Sequence, residues 1–390
     1  MSGLLFFKII NLSIEGIAVD NFKLSTIIIS SILFILEVEN MKLEIGLSSF
    51  AEITPIDGVE RPYTAQERIN QIVEEIKLAD KVGLDIYGLG EHHREDYAVS
   101  DPVTVLAAAA PQTKNIRLSS AVTVLSSDDP VRVYQRFATL DALSNGRAEI
   151  MAGRGSFIES FPLFGYDLKD YDKLYEEKLD LLLAINEQTT VNWQGETRAA
   201  INGLEVFPRA VQEKLPIWLA TGGNPESSMR AGKLGLPITY AIIGGAPSRF
   251  RRNVAMYKAV AESHGFDAAE LPIATHSWGY VAETDEVAKQ DYFPSSAYSI
   301  NKLGKERGWP PYSLDKFEQE IVHGALFVGS PETVASKIIQ LYEDLGINRF
   351  MLHLPVGSMP HEKVLKSIQL LGEKVKPIVD DYMKNKEEMK

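Results

Sequence analysis

The sequence predicts an α/β chain closed into a (β/α)8, TIM-type barrel with a long insertion before its last strand. Three observations point there. Short apolar runs alternate with amphipathic ones across residues 41–380, giving eight strand-then-helix pairs in series. Titratable residues gather where two strands end, at Glu91-His92-His93 and at Gly153-Arg154-Gly155, as on the active face of a barrel enzyme. Glycine repeatedly separates a helix from the next strand. A doubly wound open sheet is the alternative, and five or six strands would suit it better.

The strands are expected at Leu43–Ser48, Asp85–Gly90, Ile116–Val124, Ala148–Ala152, Pro216–Thr221, Pro237–Ile243, Ile273–Ala282 and Arg349–Leu354. The helices between and after them are expected at Ala65–Val82, Pro102–Ala110, Pro130–Leu143, Tyr171–Glu187, Pro225–Leu234, Pro247–His264, Asp285–Gln290 and His361–Val375. Pro102, Pro130, Pro225 and Pro247 stand at helix starts, where the missing N–H has no partner to lose. Asp101, Asp129 and Asn224 precede three of them as N-caps. Gly83, Gly235 and Gly346 end helices and lead into strands. Tyr292 to Val322, carrying Trp309-Pro310-Pro311, reads as an irregular excursion over one barrel end, a candidate lid.

The barrel is assigned to residues 41–380, with a charged tail at 381–390. Residues 1–40 differ in character, being rich in Ile, Leu and Phe without a clear period. Their most apolar part, Leu24 to Leu36, is short for a membrane span, and no small-residue cleavage pattern follows it. Met41 opens directly into Lys-Leu-Glu-Ile-Gly-Leu, and Glu37-Val38-Glu39 is compatible with a ribosome-binding stretch in the codons. A misassigned start is therefore expected, rather than an anchor.

Composition narrows the function classes. A net charge of −13 argues against a general nucleic-acid binder, which needs a basic stripe. The absence of cysteine excludes disulfides, thiolate metal sites and a cysteine nucleophile, and fits a reducing, cytoplasmic setting. No metal site and no membrane association are expected. His92 and His93 are adjacent at a strand end, so they point to opposite sides and cannot chelate one metal as a His-X-His pair could. One can face the barrel mouth, where an imidazole can give or take a proton near neutrality. Arg154 between two glycines allows close backbone approach beside a guanidinium that grips an anion. Thr221-Gly222-Gly223-Asn224-Pro225-Glu226-Ser227-Ser228 is a glycine-rich turn into a helix N-terminus, which suits phosphate or simply caps the helix.

Arg117 to Gly155, Glu91-His92-His93, Pro216 to Pro237 and Leu326 to Ile338 together resemble the bacterial luciferase-like flavin monooxygenases, in the same order along Met41 to Ile378. The resemblance implies a (β/α)8 barrel, FMN as cofactor, and reduced flavin and molecular oxygen as reactants that oxygenate a small organic substrate. It places His92 against the flavin ring as the catalytic residue, Arg154 on the phosphate, and Gly155 and Ser156 along the same wall. Gly222, Gly223, Asn224 and Ser227 become the phosphate loop, although familiar luciferases carry an acidic residue and a serine where Gly223 and Asn224 stand. Ala121–Val122 matches a non-proline cis pair that lies under the isoalloxazine. His276 and His323 are candidates for the substrate pocket or ordinary polar residues. A separate flavin reductase and a homodimer built from the helices at Pro102 and Pro130 also follow from the resemblance. Its alternatives are a deazaflavin-dependent reductase and a flavin-binding protein without turnover.

Overall fold

The computed structural model describes residues 42–389 apart from 57, 58, 60 and 156, so the expectations for residues 1–40 and for Ser156 fall outside the described residues. Among the described residues, eight parallel strands close a barrel: β1 Glu44–Ser49, β2 Ile86–Leu89, β3 Arg117–Ser120, β4 Ala148–Gly153, β5 Ile217–Thr221, β6 Ile238–Ala241, β7 Ile273–Val281 and β8 Arg349–His353. Each pairs with the next, and β8 returns to β1 with His353 opposite Ser48. The open-sheet alternative is thereby excluded.

Helices α1 Ala65–Lys81, α2 Pro102–Ala109, α3 Pro130–Ser144, α4 Tyr171–Glu187, α5 Pro225–Leu234 and α6 Arg251–Ser263 surround the strands. Their ends follow local chemistry. Thr64 and Glu67 form a reciprocal capping box on α1. Asp129 accepts from the Val131 and Arg132 N–H groups at the start of α3, and Asn224 accepts from Glu226 N–H at the start of α5. Pro247–Phe250 forms a 3-10 turn before α6 rather than its first α turn.

The insertion before the last strand differs most from expectation. The segment read as irregular is helical: α7 Asp285–Arg307 continues through Pro294, and α8 Leu314–Val322 follows. Gly308 at φ +69 ends α7, and the two prolines behind Trp309 prevent its continuation. Of the buried positions of α7, Ser295, Ser296 and Gly304 are small or polar, so Ala288 and Tyr292 alone make no apolar stripe in the sequence. A short strand, Phe327–Gly329, then pairs with the end of β7 and leads into α9 Pro331–Leu345, capped by Ser330. After β8 come α10 His361–Leu370, a π turn at Leu371–Val375 and α11 Lys376–Glu388, so helix extends into the segment expected as a tail. Between β4 and β5 lies an antiparallel hairpin, Thr190–Trp193 with Ile201–Glu205, that the strand pattern did not suggest. The strand expected at Ile116–Val124 is interrupted: the Ala121–Val122 bond is cis, and Thr123–Val124 pairs separately with β4.

Side chains alternate along each strand, so every second residue enters the barrel. The interior is layered. At the N-terminal end, buried Arg349 donates to Glu44 at 2.6 Å and to both oxygens of Glu149 at 2.7 and 3.1 Å, and lies 4.2 Å over the Trp218 ring. Above it Ile86, Met151, Trp218, Ala274 and Met351 form an apolar layer together with Ala121. Two residues further along the strands, the period delivers His276 from Ala274 and His353 from Met351, both buried at the C-terminal end.

Candidate active site

The C-terminal mouth of the barrel opens into a cavity lined by residues in or just beyond all eight strands, and roofed by α7 through Ser299, Ile300, Lys302, Leu303 and Glu306. Its walls are largely apolar, including Phe50, Met151, Phe157, Ile243, Trp278 and Val356. That is the usual composition of a small-molecule site.

His92 projects into this cavity. Ile86, Gly88 and Gly90 set the inward phase of β2, and His92 continues it beyond the strand end. The imidazole is 8% exposed and packs 4.4 Å from Phe50 and 4.2 Å from Tyr97, centroid to centroid. Neither ring nitrogen has a hydrogen-bond partner. Burial, reinforced by nearby His353, pushes its pKa down to about 3, so the ring is neutral at physiological pH. It is therefore suited to donate one hydrogen bond and accept another as a neutral imidazole, and burial disfavours the cationic form. His93 lies on the other side: its Nε2 is 2.9 Å from Glu91 Oε1, and its ring meets Phe164 edge-on.

Glu91 joins this arrangement to the third strand. Its Oε2 accepts from Val124 N–H at 2.9 Å, fixing the chain just beyond Ala121 and Val122. Both of those residues line the cavity. On β4, a Cβ at Gly153 would lie 2.7 Å from Val122 Cγ2, so only glycine admits this close approach. Gly155, at φ +75, also lines the cavity and turns the chain away from it.

Arg154 sits beside the cavity rather than in its lining. Its Nη2 donates to Ser227 Oγ at 3.2 Å, its Nη1 pairs with Asp172, and its guanidinium stands 5.2 Å over Tyr175. Thus the structure brings Arg154 and Ser227 together across 73 residues of sequence. Gly222, Gly223 and Asn224 adjoin them, but part of their bonding capacity is taken. Thr221 Oγ1 accepts from the Gly223 and Asn224 N–H groups, and the Asn224 side chain caps α5. Arg230, one turn after Ser227, pairs with Glu176 while its buried Nη1 has no partner. Sequence reading missed Arg230, although its i,i+3 spacing from Ser227 puts both on one helix face.

Three further cavity residues had no motif. His353 is held between Ser48 Oγ at 3.3 Å and Glu52 Oε1 at 3.1 Å, and His276 lies 5.1 Å from it, ring to ring. Burial pushes Glu52 up to about 8 and His353 down to about 3, and lowers His276 well below the usual histidine range. A titratable residue at the end of an apolar strand, the signal that singled out His92, was present at His353 as well. His323, by contrast, is exposed behind α8 and outside the cavity.

A closed parallel barrel with a neutral buried imidazole and a lined cavity at its C-terminal mouth defines a barrel enzyme. Residues 48–349 match the luciferase-like monooxygenase family, and the chain belongs to it as an oxidoreductase. Limonene 1,2-monooxygenase of Rhodococcus erythropolis is 26% identical over 79% of this chain and 81% of its own. The oxygenating constituent of 3,6-diketocamphane monooxygenase from Pseudomonas putida, solved in complex with FMN, superposes with TM-score 0.68 at 20% identity, covering 86% of this chain and 98% of that one. The coenzyme F420-dependent tetrahydromethanopterin reductase of Methanopyrus kandleri superposes at 0.64 with 18% identity, over 86% and 99%.

Proposed function

We propose that the chain is an FMN-dependent monooxygenase that uses reduced flavin and molecular oxygen to oxygenate a small organic substrate. The observation that carries this reading is His92: a buried imidazole with both nitrogens unpartnered, in a cavity that Ala121 and Val122 also line. A buried polar atom without a partner costs about 1–3 kcal/mol, a cost natural where a ligand completes the bonding. When bound, reduced flavin supplies the reaction with oxygen.

The residues fit that group. Arg154, Ser227 and Arg230 offer donors for a phosphate beside the cavity, with the positive end of α5 behind them. Gly153 and Gly155 keep the connecting wall thin, and Gly222 has open space where a Cβ would stand. Within the cavity, apolar walls exclude water and hold the ring and substrate in register. His92 holds or moves a proton at its Nε2 or Nδ1, and Tyr97 and Phe50 fix its ring plane.

Reduced flavin is supplied, in this reading, by a separate reductase, and the chain acts as a homodimer through α2 and α3. Titrating the purified protein with FMN, riboflavin and F420 while recording visible spectra, then measuring oxygen uptake with reduced FMN, tests the reading. Preferential binding of F420, with no oxygen uptake, would replace it with a deazaflavin-dependent reduction.

A further inference from the structure

Beyond His92, the barrel floor carries a second polar group that the proposed reaction does not use. Phe50 touches both: its ring lies 4.4 Å from His92, 4.2 Å from His353 and 5.9 Å from His276, centroid to centroid. His353 is saturated, one nitrogen at Ser48 Oγ and the other at Glu52 Oε1. Glu52 Oε2 and His276 Nε2 are both buried and without partners, on residues lining the cavity, as are Thr239 Oγ1 and Ser299 Oγ. Glu52 and His276 both adjoin His353, and with Phe50, Met151, Trp278 and Val356 in the same lining they form a small polar spot in a largely apolar surface.

The electrostatics set what the spot can take. With Glu52 raised to about 8 and His353 lowered to about 3 by burial, and His276 lowered too, the floor carries no formal charge at neutral pH. Two of the rim cations have carboxylate partners: Arg94 is bound to Glu159 at 2.5 Å and Glu306 at 2.6 Å, and Lys302 to Asp96. An anionic ligand at the floor would lose its hydration with no cation beside it, and a cationic one would be paired only by ionising Glu52 against the burial that holds it neutral. A neutral carboxyl and a neutral imidazole can each donate or accept according to tautomer, so an uncharged oxygen of either kind is satisfied.

We propose that Glu52 Oε2 and His276 Nε2 form the substrate's polar subsite, with His353 as the residue that positions Glu52, and that the substrate is an uncharged, mainly apolar molecule carrying one carbonyl or hydroxyl oxygen. The proposal rests on the monooxygenase reading for calling this ligand the substrate. The subsite itself is defined by this chain's own residues.

The test uses the full chain, with and without FMN, and follows Trp278 fluorescence and calorimetry with 2-octanone, 2-octanol, octanoate, octylamine and 1-chlorooctane. The ketone and alcohol should bind at least about tenfold more tightly than octanoate, which pays uncompensated desolvation, and more tightly than octylamine, which must ionise Glu52 to be paired. Glu52→Leu and His276→Phe should each weaken the ketone by about two- to tenfold, the worth of one hydrogen bond, while 1-chlorooctane is unaffected. His353→Gln, which can still bond Glu52, should keep the preference for ketone over 1-chlorooctane, and His353→Leu should lose it. Octanoate binding as tightly as the ketone, or equal losses for ketone and 1-chlorooctane in folded His276→Phe, would overturn the subsite. Ketone selectivity without FMN binding would support the subsite and count against the monooxygenase reading, whereas FMN binding without ketone selectivity would do the reverse.

Discussion

His92 and His93, neighbours in the chain, face opposite sides of the second strand's end: one ring lies 4.4 Å from Phe50 inside the cavity, and the other bonds Glu91 Oε1 at 2.9 Å. The alternation of the second strand, carried past its end at Leu89, and the bonds of Glu91 to His93 and Val124 accompany this division. His92→Ala should therefore leave FMN affinity within a few-fold and reduce product formation by roughly 10²–10⁴, the usual worth of a positioned proton-transfer group. Oxygen uptake should persist with hydrogen peroxide as the product. His93→Ala should instead lower the melting temperature while leaving the ratio of product to oxygen consumed unchanged. The opposite pattern, measured by oxygen electrode and peroxide assay, would mean that His93 is the functional ring.

Arg154 meets Ser227 across the gap between the fourth and fifth strands, and both lie beside the cavity. If they hold a phosphate, Arg154→Ala should weaken FMN by roughly 1.5–3 kcal/mol and barely change riboflavin, which has no phosphate. Arg230→Ala should act in the same direction. Equal losses for both flavins in calorimetric titrations would place Arg154 elsewhere on the cofactor.

Asp172 competes for the same guanidinium. It is largely exposed, at 71% of its side chain, so its pair with Arg154 is a weak surface one. Asp172→Asn should tighten FMN by up to roughly fivefold at low salt, with the gain shrinking as salt rises. Unchanged affinity would show that the carboxylate swings away without cost when the anion binds.

Much of this architecture was legible in the sequence because barrel strands are buried on both faces and end in chemistry. The alternating apolar runs from Leu43 to Leu354 gave the strand count, and caps such as Asp129 and Asn224 gave the helix starts. Legibility failed where local pattern and packing part company. Helix α7 buries serines and glycine against the barrel, so it has no apolar stripe to see. The site was partly visible: His92 and Arg154 sit next to glycines or other titratable residues in short motifs. Glu52, His276 and His353 come from three separated segments and meet only when the barrel closes, by the pairings of β1 with β8 and of β7 with β8. Asn224 serves its helix as the N-cap that the sequence indicated, which the same glycine-rich motif also allowed.

The neutral floor can be read directly. Burial holds His92 and His353 at about 3 and His276 well below its ordinary value, so three of the seven histidine signals in a proton–carbon correlation spectrum should lack the shift of imidazole protonation between pH 7 and 5. For these groups the unfolded chain binds more protons than the folded one below about 6.5, so their contribution to stability falls as pH drops from there towards 3. Glu52 acts with the opposite sign. Its folded value of about 8 exceeds the ordinary 4.5, so the folded chain holds a proton that the unfolded chain has released, and stability declines as pH rises from about 4.5 to 8. Glu52→Gln removes that titration while keeping shape and one hydrogen bond to His353. It should melt a few degrees above the wild type at pH 8.5, with the difference vanishing near pH 5. A constant difference across that range would mean that Glu52 is ionised in the folded protein and that its pair with His353 is ionic.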